Sequence, residues 1–195
     1  MAHHIAILKQ EEGLVDGLPD TPGLDPYLCP AQVATIGWGH AIVDPHTGKQ
    51  LRGPAGLARA RELYPDGITE TQAVTLLSED MLSFAAAVDR LGAKLTDNQR
   101  SAFICLSFNI GVSNFRTSSA ARMAFASKHA QVPDCIRKWN KSRRSLNGPL
   151  EWTKGLAIRR EIEARLYATP DDAPFDPLAI RKEMEDEAKS GRGQK

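Results

Sequence analysis

Ala34-Thr35-Ile36-Gly37-Trp38-Gly39-His40-Ala41 decides how the chain is read. Thr35, Ile36 and Trp38 have the β-branched or aromatic character of a pleated strand, and Gly37 and Gly39 interrupt it. A glycine at every second position clears one face of side chains, so another group can approach that backbone closely. Asp44-Pro45-His46-Thr47-Gly48 is a turn signal, so the segment is expected to form the first arm of a short hairpin. Alone, it reads equally well as an ordinary glycine-bearing edge strand.

Upstream, residues 1–13 carry Ile5, Ile7 and Leu8 in a helix-compatible run that stops at Glu12-Gly13. Residues 14–67 are rich in Gly and Pro and are expected to form a small β-containing lobe, with a helical turn over 57–63. Downstream, Thr69-Glu70-Thr71-Gln72 matches a capping box. Val74, Leu77, Met81, Phe84, Val88 and Leu91 follow at spacings of 3 and 4, which predicts one long helix with a single apolar seam, ended by Gly92. Such a helix can join two lobes.

A second capping box, Thr96-Asp97-Asn98-Gln99, opens a helix through Ala102, Phe103, Leu106 and Phe108 to Gly111. Thr117-Ser118-Ser119 predicts a third helix to about Lys128, and Pro133 suits the first turn of a fourth, with Ile136 and Trp139. Asn147-Gly148-Pro149 reads as a turn, and Ile158, Ile162 and Leu166 as the core face of a last helix. After Tyr167, Pro170, Pro174 and Pro177 alternate with aspartates. Residues 168–195 therefore read as a Pro-rich, charged arm with a short helix and a loose end from Ser190. The class is α+β, mainly helical.

At 195 residues, with 42% hydrophobic and 25% charged side chains, the chain has the make-up of a soluble globular domain. It contains no apolar run long enough to span a membrane. The apolar stretch before Lys9 is too short for a secretory segment, so synthesis in the cytoplasm without a signal peptide is expected. Cys29, Cys105 and Cys135 are an odd, unpaired set, which argues against a disulfide framework or zinc ribbon. Nine Lys or Arg lie within 137–165 against Glu151, Glu161 and Glu163. That stretch is either a basic face for a polyanion or a solvated helix face. Base-stacking aromatics and a nucleic-acid motif are missing, so no nucleic-acid partner is expected.

Glu12-Gly13, then Tyr27-Leu28-Cys29-Pro30, then Thr35-Ile36-Gly37-Trp38-Gly39-His40 resembles the N-terminal pattern of the phage-type lysozymes, the endolysins of glycoside hydrolase family 24. Leu95-Thr96, Gln99, Phe108-Asn109-Ile110-Gly111, Phe115, Trp139-Asn140 and Gly155-Leu156 with Arg159-Arg160-Glu161 extend the likeness over roughly residues 5–167. The resemblance implies a lysozyme-like fold over 1–167: an N-lobe about 12–67, a connecting helix about 69–91 and a helical lobe about 95–167. It implies lysis of the host cell wall by cleavage of bacterial peptidoglycan between N-acetylmuramic acid and N-acetylglucosamine. No cofactor or metal would be needed, the chain would act as a monomer, and it would reach the periplasm through a separate holin-type pore.

Glycoside hydrolysis needs a proton donor for the leaving oxygen and a group across the sugar to steer the nucleophile. By the resemblance, Glu12 is the general acid, kept protonated by partial burial, and Thr35 helps hold the attacking water. Cys29 occupies the place of the usual aspartate, where a thiol could guide water or attack the sugar itself. Glu12 and Cys29 are 17 positions apart, further than the family pattern. The extra residues fall in 17–25, and Asp16, Asp20 or Asp25 could replace the missing carboxylate. Gly39 and Phe108 match cleft-lining positions, and His40 is expected to pair with Asp80 of the connecting helix. The alternatives are an inactive wall-binding relative and a lytic transglycosylase, which needs one acid only. A zinc amidase using His40, His129 and Cys135 has no supporting ligand spacing.

Overall fold

Helix α1, His3–Glu12, ends where Gly13 takes up a left-handed conformation that side-chain-bearing residues avoid. The computed structural model describes residues 3–18, 20–143 and 148–190. The chain divides into two compact units, one of residues 8–82 and one of residues 1–7 with 83–195.

In the first unit, strands β1 (Tyr27–Leu28), β2 (Ala34–Ile36) and β3 (His40–Ala41) form an antiparallel sheet in that order. The motif strand is shorter than expected. Ile36 pairs with His40, so Gly37-Trp38-Gly39 is itself the connecting turn, and both glycines have positive φ. Gly37 is also a point of close approach: a Cβ there would stand 2.8 Å from that of Ala73. The Asp44 turn closes a further hairpin, with the Asp44 carboxylate accepting from the amides of His46 and Thr47 and with Val43 bridged to Gln50. Helix α2, Gly53–Leu63, starts earlier than the turn expected at 57–63 because Pro54 suits a first helical turn.

Helix α3, Glu70–Asp89, passes from the first unit into the second within its length. Thr69 and Gln72 exchange the two capping-box hydrogen bonds at 2.8 and 3.2 Å. Ala73, Leu77, Met81, Ala87 and Val88 are its buried residues; of the expected seam, Val74 and Phe84 are half-buried and Leu91 lies beyond the helix end at Asp89.

The second unit is helical. Helix α4, Asp97–Ile110, carries the Thr96–Gln99 capping box and packs against α8, Lys154–Ala168. Between them come α5 (Val112–Thr117), α6 (Ser119–Phe125, capped by Ser118) and α7 (Val132–Arg137). The expected third helix is α6, capped by Ser118 as the sequence indicated and ending at Phe125 instead of about Lys128, and α5 before it was not foreseen. An unforeseen hairpin, β4 (Lys141–Arg143) with β5 (Leu150–Trp152), precedes α8. Of the expected 147–149 turn, Asn147 lies outside the described residues.

The Pro-rich tail is tied down. Asp171 accepts from the Asp97 and Asn98 amides at the start of α4, at 3.0 and 2.8 Å, and Asn98 donates to the carbonyls of Thr169 and Pro170. Helix α9, Pro177–Lys189, buries Ile180 and joins α8 through an Arg165–Glu183 pair at 2.7 Å. Beyond Ser190 the expected loose end lies outside the described residues.

Part of the basic run is neutralised within the fold. Arg137 and Arg165 share Glu161, while Arg159 and Arg160 share a fully buried Glu163. These four of the nine cations brace α8 internally and tie it to α7 and α9, and Lys141 and Arg143 stay on an exposed face.

Candidate active site

Helix α1 delivers Glu12, and Lys9 fixes the end of α1. Lys9 Nζ stands 4.5 Å from the ring centroid of Trp38 and 2.9 Å from Glu70 Oε1. A cation held over an indole face and against a carboxylate anchors the last turn of α1 to the β2–β3 turn and to the start of α3. Glu12 comes three residues after Lys9 and four after the buried Leu8, so it leaves the helix on their side. The expected partial burial is not seen: Glu12 is exposed.

Cys29 is set by the turn between β1 and β2. Its amide donates to the Val33 carbonyl at 3.0 Å, and its carbonyl accepts from Gln32 at 2.8 Å. Pro30, Ala31 and Gln32 form a three-residue loop, with Gln32 in the left-handed position that such loops require. With both backbone groups engaged, the half-buried thiol projects from a fixed corner.

Thr35 lies in the central strand, opposite Tyr27 on one side and Ala41 on the other. Residues directly opposed in an antiparallel ladder share a face, and Cys29 is one alternation beyond Tyr27. Tyr27, Cys29 and Thr35 therefore belong to one face. Thr35 is only 4% exposed. Its hydroxyl donates to the Tyr27 carbonyl over a long 3.4 Å, which leaves its oxygen able to accept.

The opposite face is braced. Ile36 and His40 are paired there, and His40 Nδ1 lies 3.0 Å from Asp80 Oδ2 and 3.1 Å from Asp80 Oδ1. The hydrogen bond to Asp80 raises the His40 pKa above its ordinary value, against the opposing effect of burial.

The loop aspartates have separate duties. Asp16 accepts from the Leu18 and Asp25 amides and closes the inserted loop. Asp25 is 3% exposed, and its carboxylate accepts from the Thr21 hydroxyl. Asp20 is exposed, and Pro19 lies outside the described residues. The best-placed substitute on sequence grounds, Asp25, is thus committed to the loop's interior.

Gly39 is exposed at the β2–β3 turn. Phe108 belongs to the helical unit, where it meets Phe84 edge-on at 5.3 Å between centroids. His40 and His129 each have their own partner, Asp80 and the Tyr167 hydroxyl, and the described residues contain no acid, His or Cys cluster able to hold a metal. The sequence reading missed Lys9, Trp38 as its seat, and Glu70; the one local signal was a lysine one turn before Glu12.

A model of the family described as phage lysozyme matches residues 20–163, so the match covers Cys29 and Thr35 and begins after Glu12. The endolysin of Acyrthosiphon pisum secondary endosymbiont phage 1 is 29% identical over 164 residues, 84% of this chain and 93% of its own. Among solved structures, the endolysin of Escherichia coli O157:H7 phage FAHEc1 superposes with a TM-score of 0.67 at 25% identity, covering 90% of this chain and 95% of its own. The muramidase domain of SpmX from Asticaccaulis excentricus shares the fold, with a TM-score of 0.64 at 24% identity over 87% of this chain and 97% of its own. With about three-quarters of its length inside the family match, the chain belongs to the phage lysozyme family of glycoside hydrolases.

Proposed function

We propose that the chain is a muramidase that hydrolyses the β-1,4 bond between N-acetylmuramic acid and N-acetylglucosamine in bacterial peptidoglycan. Glu12 donates its proton to the glycosidic oxygen as the bond to C1 breaks. A water oriented by the Thr35 oxygen and the Cys29 sulfur adds to C1, and its proton passes to bulk solvent. Glu12 is then reprotonated from water. Since Glu12 is exposed in the free chain, the bound saccharide has to shield it from water. The substrate is reached through a membrane pore formed by another protein; no helix among the described residues is long and apolar enough to cross a membrane.

The observation carrying this reading is the shared face of Cys29 and Thr35, in the unit that also holds Glu12. Glu12→Gln keeps the size of the side chain and removes the proton donor. It should cut clearing of isolated cell walls by about 100-fold or more while leaving the melting temperature within a few degrees. Mass spectrometry of the digest supplies the bond: reducing muramic ends are expected, and anhydro-muramic ends would replace hydrolysis with transglycosylation.

A further inference from the structure

The β4–β5 hairpin is paired so that Lys141 faces Trp152 and Arg143 faces Leu150. Those four side chains are the exposed ones of the two strands, and Ser142 and Glu151 share the other, half-covered face. Leu150 and Trp152 are each 57% exposed, an unusual outlay of apolar surface on two adjacent positions of one face. Arg143 donates to the Gly148 carbonyl at 2.7 Å, which holds its guanidinium at the hairpin. Neighbouring arginines of this basic stretch are taken up by Glu161 and Glu163, whereas no carboxylate among the described residues pairs with Lys141 or Arg143.

We propose that this face is a docking surface for an anionic phospholipid membrane. An indole and an aliphatic side chain flanked by two cations is the composition of an interfacial anchor: the apolar pair enters the headgroup boundary while Lys and Arg meet the phosphates. Charge complementarity selects anionic lipid. A sugar ring could stack on Trp152, but the exposed Leu150 beside it offers hydroxyls no partner and suits an acyl boundary, and isolated cell walls serve as the competing target in the test. The proposal does not depend on the chemistry assigned to Glu12, Cys29 and Thr35.

The test uses the full chain with phosphatidylglycerol and phosphatidylcholine vesicles in a sedimentation assay. Binding to the anionic vesicles is expected, weakening with salt and nearly absent with the zwitterionic ones. Trp152→Ser should weaken it about tenfold, and Lys141→Glu with Arg143→Glu about twentyfold, with unchanged circular dichroism. The wild-type chain gives a second readout: of its three tryptophans Trp38 is buried, Trp139 half-buried and Trp152 exposed, so a blue-shifted emission quenched by brominated lipid should appear on binding and be lost in the Trp152→Ser chain. Wild-type-like vesicle binding by these variants, no vesicle binding by the parent, or a loss confined to isolated cell walls would each overturn the proposal.

Discussion

His40 Nδ1 lies 3.0 Å from Asp80 Oδ2, and the pair fastens β3 to α3 from the face of the sheet opposite Thr35. Because folding raises the His40 pKa, its contribution to stability is complete below the unfolded value of about 6.5 and is lost as pH rises through the folded value. Both side chains are part-exposed, so solvent limits the effect to about 0.5–1 kcal/mol. Urea unfolding of Asp80→Asn against the parent should show that deficit near pH 5.5 and almost none near pH 9. A deficit that grows towards alkaline pH would assign the stabilisation to something other than this histidine.

Glu163 is fully buried between Arg159 at 3.3 Å and Arg160 at 2.8 Å, one helical turn back along α8. Burial pushes the Arg160 guanidinium below its ordinary pKa, which marks how strongly that site disfavours an uncompensated charge. Glu163→Gln preserves the volume and removes the counter-charge from two guanidiniums. The expected loss is about 3–5 kcal/mol in chemical denaturation. Glu183→Gln, whose partner Arg165 also holds Glu161, should cost less than about 1 kcal/mol in the same measurement.

These contrasts separate what is written locally in the chain from what is not. The capping boxes at Thr69 and Thr96, the stop at Gly13 and the seam of α3 are set by residues within one or two turns of each other, and each was legible. The tail was not, because the groups that fix it are distant in sequence: Asp171 caps a helix that starts 74 residues earlier. Two- and three-residue strands such as β3 to β5 carry too few alternations to register as a pattern. The motif strand misled for a related reason. Trp38 has strand character, but its side chain is placed by Lys9 and its backbone by two left-handed glycines, so it turns. Around the candidate site, the residue types and the His40–Asp80 brace were legible, and the seating of Lys9 on Trp38 and Glu70 was not.

Lys9 is the most testable of those supports, reaching Glu70 across 61 residues. Lys9→Met keeps the stem and removes the charge that Trp38 and Glu70 share. A stability loss of about 1 kcal/mol is expected from the lost cation contact and ion pair. If Lys9 orients Glu12, turnover should fall further than apparent affinity for cell-wall substrate, and Lys9→Arg should restore most of it. Equal changes in both parameters would reduce Lys9 to a purely structural role.

Cys29 is where the chain departs most from its family pattern, and a small set of substitutions resolves its part. Its backbone is held by the turn, so Cys29→Ser and Cys29→Asp should fold as the parent does, with melting temperatures within a few degrees. A hydroxyl at this corner is shorter than a thiol and has no anionic form available near neutral pH, so Cys29→Ser should lose wall-clearing activity about 10- to 100-fold. A carboxylate has that anionic form, and Cys29→Asp should retain activity within about tenfold of the parent or exceed it. Alkylation of the half-buried thiol should inactivate the parent and leave Cys29→Asp untouched, since Cys105 and Cys135 are buried. If alkylated parent still clears walls at its original rate, the sulfur takes no part in directing water, and the general acid and Thr35 must suffice.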